Sequence, residues 1–304
     1  MIDTVFFVVE GAAVMLATFI IMSLRLRVMY SLMKFNVGLS KILDSTMISS
    51  VVHLVTPYGT GTIFVRPFVL KKAAGIPYET SIAVSVVDHA VEIAASAAAL
   101  VISIFIVSFE YVPGTYMLIF SIPAAALLIL VFYSKGMTNV LEKILSIRGL
   151  PIRARKTIKR KVLIKKRVIL EAVEAIQSSG GRYRALAMMF SLSVLIIVFQ
   201  PFSTFFFLKS MSIDLSYVAC FVVLWLPFTT GRLSHVPGGL GVRELTSIYL
   251  LSFYGVPLVE ATVASIVLTI LVSMTVVLCG LFSAWRTGIS IMRTRNIKRQ
   301  PVIS

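Results

Sequence analysis

The chain has 304 residues, 58% hydrophobic and only 14% charged, and its 29 Lys and Arg against 13 Asp and Glu give a formal net charge of +16. Mean hydropathy is +0.95 and the isoelectric point is about 10.1. A soluble domain carries roughly 25% charged residues, so composition excludes one. No aromatic–basic motif accompanies the charge, which therefore points to basic loops on an anionic membrane face and away from nucleic acid.

In chain order, the first apolar span runs over about 5–24 and is followed by Arg25, Arg27, Lys34 and Lys41. Its first charges are Asp3 and Glu10, where a cleavable signal would carry Lys or Arg, so the span is expected to be retained. A second apolar stretch, 42–70, is interrupted by Pro57-Tyr58-Gly59-Thr60-Gly61 and closed by Lys71 and Lys72. Spans over 80–108 and 115–133 come next, then a polar segment over 134–184 with fourteen Lys/Arg and three acids. Residues 152–173 of that segment set Ile158, Val162, Ile169 and Val173 near helical spacing among cations, the pattern of an interfacial amphipathic helix on an anionic leaflet. A span over 185–208 follows, then an apolar stretch over 215–254 broken at 231–244, and a last span over 257–285 before a basic tail. Cys220 and Cys279 fall in apolar runs and offer neither a disulfide framework nor metal-ligand spacing.

The positive-inside rule fixes the parity of these segments. With 134–184, 25–41, Lys71-Lys72 and the tail all cytoplasmic and the N-terminus outside, neither broken stretch can cross as a single span. Residues 42–70 must enter and leave from the inside, and 215–254 from the outside. The expected fold is an all-α polytopic membrane domain over 1–304, with about five full spans, two oppositely oriented re-entrant hairpins and the makings of an inverted repeat.

Short, Gly/Pro-interrupted apolar segments mark a transporter's central binding site, because non-helical backbone at membrane depth must be buried or line a wet cavity. Pro57, Gly59, Gly61, Pro237, Gly238, Gly239 and Gly241 are the residues expected to shape the two reversals, and exposed amides at the start of the arm over 244–254 to form an anion site. The ionisable residues at depth are His53 and Arg66 on the first hairpin, Asp88, His89 and Glu92 on the span after it, and Arg232, His235, Arg243 and Glu244 on the second. A bare charge in lipid costs several kcal/mol, so Asp88, Glu92 and Glu244 are expected to pair with Arg66, Arg232 and Arg243 around a positive potential suited to an anionic head group. Two alternatives stay open: Arg232 in a loop at the outer surface, and His53 as a plain hydrogen-bond partner.

The stretch H-L-V-T-P-Y-G-T-G-T-I-F-V-R-P-F-V-L-K-K-A-A-G-I-P over 53–77 and V-P-G-G-L-G-V-R-E over 236–244, with G-V-P at 255–257, resemble the signatures of the flippase-like membrane domain, also called the lysylphosphatidylglycerol synthase transmembrane region. The likeness covers nearly the whole chain. Gly61-Thr62 stands where the family usually has Gly-Glu, and Asp88-His89-x-x-Glu92 where it often has Glu-Arg-x-x-Asp. The resemblance implies lipid translocation: an anionic phospholipid or a polyprenyl-phosphate-linked lipid would pass its head group through a polar groove between the hairpins. Arg66, Arg243 and Arg232 would hold the phosphate, as planar guanidinium forks do. The longest non-membrane segment is too short for an aminoacyl-transferase domain, and no nucleotide-binding G-x-x-x-x-G-K-[ST] occurs, so neither enzymatic activity nor a cofactor is expected. Other readings remain: a scaffold subunit of a lipid-modifying or glycosyltransferase system, its basic segment docking the partner enzyme, or an intramembrane metalloenzyme using Asp88, His89, Glu92, His53, His235 and Glu244.

Overall fold

The computed structural model describes residues 2–56, 61–111, 182–234 and 236–288. These form nine α-helices: α1 (Ile2–Leu32), α2 (Leu39–His53), α3 (Gly61–Ala74), α4 (Tyr78–Tyr111), α5 (Arg182–Phe199), α6 (Pro201–Ser210), α7 (Tyr217–Leu233), α8 (Val242–Phe253) and α9 (Leu258–Thr287), with one 3₁₀ turn at Pro237–Gly239. Four helical stretches among the described residues are long and apolar enough to cross a bilayer: Asp3–Leu32, Tyr78–Ile106, Ala187–Ser210 and Leu258–Thr287. The span expected over 115–133 and the interfacial helix over 152–173 lie outside the described residues. So do Pro57, Gly59 and His235.

Two sequence-based boundaries are corrected. Residues 25–32 are not a loop: α1 continues to Leu32, because Leu26, Met29 and Tyr30 extend the apolar face and are fully buried. The span over 185–208 is α5 followed by α6, divided at Gln200, where Pro201 brings no N–H to the ladder. Arg182 and Arg184, counted with the basic segment, open α5.

α2 and α3 pack against each other as one hairpin, and α7 and α8 as another. Their arms have 15, 14, 17 and 12 residues. At 1.5 Å per residue these are roughly 18–26 Å long, short of a ~30 Å hydrocarbon core. α2 is rich in hydroxyls, yet it is buried at Ser45, Thr46 and Ser49. Its hydroxyls donate back to carbonyls of their own helix, Ser45 and Thr46 to Ile42, Ser49 and Ser50 to Thr46, so the polar groups leave no unmet demand in the core.

α9 fixes the relative direction of the two hairpins. It starts directly after the base of the α7–α8 hairpin, and two turns on, Ser265 Oγ donates to the Glu244 carbonyl (3.1 Å) near that hairpin's tip. Further on, Gly280 abuts Met47 and Val51 of α2, with no room for a Cβ. At its end Arg286 donates to Asp44 and Ser40, and Lys72 Nζ donates to the Gly288 carbonyl (3.0 Å), all at the base of the α2–α3 hairpin. The bases therefore lie at opposite ends of α9 and the tips meet near its middle, as expected of oppositely oriented re-entrant hairpins. The outer face of α9 exposes Val259, Val263, Ile266, Ile270, Met274, Leu278, Leu281 and Trp285 at helical spacing, an apolar stripe suited to the bilayer interior.

Candidate functional site

The charged residues at depth gather in the region where α1, α4, α7 and the two hairpin tips converge. On α4, Asp88 accepts from Arg25 Nε of α1 (2.9 Å) and from Arg66 Nη1 of α3 (2.8 Å). Arg25 Nη2 lies 2.8 Å from the same Asp88 oxygen that Nε reaches, and Arg25 Nη1 donates to Ser193 Oγ of α5 at 3.1 Å. All three charged side chains are buried, Arg25 and Asp88 at 1% and Arg66 at 3% exposure. A buried carboxylate shared by two guanidiniums neutralises one of them and leaves one positive charge behind the site.

One helical turn further along α4, Glu92 accepts from Arg232 Nη2 of α7. Arg232 also donates to Ser96 Oγ (3.3 Å), and its guanidinium carbon stands 4.3 Å from the Phe228 ring centroid, a cation–π distance. His89 Nδ1 lies 3.7 Å from the other Glu92 oxygen. Arg232 is thus a helix residue in a semi-buried ion pair, not a surface-loop arginine: α7 runs into the break expected over 231–244, as far as Leu233. Arg243, on the first turn of α8, makes no hydrogen bond or ion pair with a described side chain and lines the cavity described next.

That cavity, about 180 Å³ in volume, lies between the hairpin tips. Its polar wall includes Arg25, His53, Arg66, Glu92, Arg232 and Arg243; its apolar wall includes Phe19, Ile196, Trp225, Phe228 and Val272. Leu54 and Thr56 of one tip and Gly238 and Gly239 of the other complete it. The tips touch so closely that a Cβ on Gly238 would stand 2.4 Å from the Leu54 carbonyl oxygen, and within the second hairpin a Cβ on Gly239 would stand 2.8 Å from Gly231 Cα. Both glycines also have positive φ, 66° and 70°. The motif glycines here serve close backbone approach as well as chain reversal. Gly61 is buried against Val52 and Thr56, and Gly241, with φ of 84°, precedes α8.

The expected pairing is right for Asp88 with Arg66 and for Glu92 with Arg232, and wrong for Glu244 with Arg243. The Glu244 carboxylate turns back to accept from the Gly241 backbone N–H and from Thr269 Oγ1 (2.8 Å). Glu244 therefore caps its own helix, and one of the free amides at the start of α8, that of Gly241, is spent on it. Asp88 and His89 sit behind the cavity wall. Of the carboxylate–histidine set considered for a metal, Asp88 is held by two arginines and Glu244 points to α9, while His235 lies outside the described residues. Among the described residues no three such groups converge. Sequence reasoning missed Arg25, which it assigned to a cytoplasmic loop; the uninterrupted apolar spacing through Leu26, Met29 and Tyr30 was the available signal.

Helices long and apolar enough to cross a bilayer, hairpins with arms too short to do so, and a charged cavity between the hairpin tips define an α-helical membrane protein built around a polar site. The sequence model of the lysylphosphatidylglycerol synthase TM region matches residues 2–280, so the chain belongs to that family. No curated protein and no solved structure matches it.

Proposed function

We propose that this protein binds the anionic head group of a membrane lipid, a phospholipid or a polyprenyl-phosphate-linked lipid, in the cavity between the hairpin tips and passes it across the cytoplasmic membrane while the tails stay in lipid. The observation that carries the reading is charge balance. Among the described residues four arginines and one carboxylate line the cavity, and a second carboxylate, Asp88, backs it. Two positive charges are left over among them, and Arg243 has no acidic partner among the described lining residues. A guanidinium pairs bidentately with phosphate oxygens, and a cavity with one polar and one apolar wall suits a head group still joined to its tails. Membership in the family supports a role in lipid handling. The fourteen cations of 134–184 support a cytoplasmic placement of that segment, against the anionic leaflet, with the N-terminus outside.

The test is flipping in liposomes with head-group-labelled phosphatidylglycerol and, separately, a polyprenyl-phosphate sugar. Movement of either above protein-free liposomes is expected. Movement of neither, across a range of ion gradients, would remove autonomous flipping as the activity.

A further inference from the structure

Resting on the lipid-binding reading above, we infer that the cavity binds a second ligand together with the phosphate head group: a proton, taken up at the Glu92–His89 couple on α4. The couple is only half engaged. Glu92 Oε1 accepts from Arg232, but Oε2 takes no hydrogen bond from a described side chain. His89 Nδ1 stands 3.7 Å from that oxygen, and it is buried with no hydrogen-bond partner among the described residues. A carboxylate oxygen and an imidazole nitrogen thus face each other across a gap that a shared proton would close.

Among the described residues Glu92 is the one acid in the cavity wall. A phosphate that reaches Arg232 meets the Glu92 carboxylate as a like charge, and two anions held close together favour protonation of one of them. Arg232 is equipped for the exchange. Its Nη1 donates to Ser96 at 3.3 Å and its Nη2 to Glu92, while its buried Nε has no partner among the described residues. When Arg232 turns to a phosphate, Glu92 loses its counter-charge and is left facing His89, where a proton from solvent neutralises it. By linkage, each ligand then tightens the binding of the other. The other charged or titratable groups around the couple are Arg25 on α1, His53 on α2, Arg66 on α3, Asp88 on α4 and Arg243 on α8. Among the described residues α5 and α9 add only uncharged side chains to the wall. Arginines keep their charge throughout, and Asp88 is engaged on both oxygens by Arg25 and Arg66. His53 is therefore the competing proton acceptor that the test must separate from the couple. A phosphodiester that binds with a proton occupies the site as a neutral pair, so a pH difference across the membrane biases how the site is loaded.

The experiment measures binding of short-chain phosphatidylglycerol, a phosphodiester of fixed charge, to the full chain in zwitterionic detergent between about pH 5 and 8, where histidine titrates. A pH dye in weakly buffered solution counts the protons taken up at lipid saturation. Wild type is expected to bind more tightly as pH falls, by up to about tenfold per pH unit, with uptake of up to about one proton per lipid. Glu92→Gln, which keeps an acceptor for Arg232 but takes no proton, is expected to lose both the slope and the uptake. His53→Gln, whatever its absolute affinity, is expected to keep both, and it carries the test where Glu92→Gln fails to fold. Flat binding by wild type without proton uptake overturns the proton site and leaves lipid binding intact. A slope lost in His53→Gln and kept in Glu92→Gln overturns it equally. Absence of binding at every pH overturns the lipid-binding reading and the proton site with it.

Discussion

At the scale of single residues, the molecule sorts its buried charges into two kinds. Arg25, Asp88 and Arg66 form a closed unit whose partners are each other. Removing one member of a buried ion network strands the rest, at a cost of about 3–5 kcal/mol. Asp88→Asn, which leaves two guanidiniums sharing a neutral amide, is expected to lose that order of stability, read as a large fall in unfolding temperature in detergent; an unchanged temperature would mean the triad does not hold helices together. Glu244 belongs to the same structural kind, although the sequence suggests otherwise. Its neighbours are a backbone amide and Thr269, so Glu244→Gln is expected to cost about 0.5–2 kcal/mol, the range of a lost cap, in the same melting experiment. Arg243 is of the other kind, a cation in the cavity wall with no ion pair to a described side chain, and the proposed function gives it the ligand. Sequence alone could not separate adjacent Arg243 and Glu244, because both stand in one motif and only the direction of each side chain from the first turn of α8 divides their roles.

At the scale of elements, the two hairpins depend on backbone contacts that no side chain could permit. Gly238 touches the Leu54 carbonyl and holds a positive φ. Gly238→Val combines a left-handed backbone strain of about 1–3 kcal/mol with an overlap against a carbonyl that has no room to retreat. It is expected to part the tips and abolish lipid movement, with the protein still inserted in the membrane; wild-type flipping by this variant would show that tip contact is dispensable. The hairpins themselves were legible in the sequence, since charge parity, Pro/Gly interruption and apolar length all demanded them. The length of α1 and the extension of α7 to Leu233 were not. In both places an arginine falls on what reads as the end of a span, and hydropathy treats an arginine paired inside the protein like one facing water. Arg25 and Arg232 were misplaced or left open for that one reason: their acids, Asp88 and Glu92, lie on a different helix.

At the scale of the whole molecule, α9 acts as the ruler on which both hairpins are set, one against each half. The orientation this implies is open to a direct check. In a background with Cys220 and Cys279 replaced by serine, single cysteines at Lys41 and at Asp214, both exposed at the hairpin bases, are expected to react with an impermeant maleimide from opposite sides of the membrane. Reaction of both from one side would contradict the opposed arrangement. The apolar stripe of α9 and the apolar outer faces of α1 and α5 surround a centre where, among the described residues, arginines outnumber carboxylates, the charge balance on which the proposed binding of an anion rests. The central claim is that Arg243 receives that anion. The measurement that tests it most directly is the flipping rate of head-group-labelled phosphatidylglycerol in liposomes holding wild type, Arg243→Ala or Glu244→Gln at equal reconstituted amounts. The account predicts a loss of about tenfold or more for Arg243→Ala, the worth of a charge-assisted hydrogen bond to phosphate, and a rate close to wild type for Glu244→Gln. Equal rates for wild type and Arg243→Ala, or a collapse confined to Glu244→Gln, would contradict it.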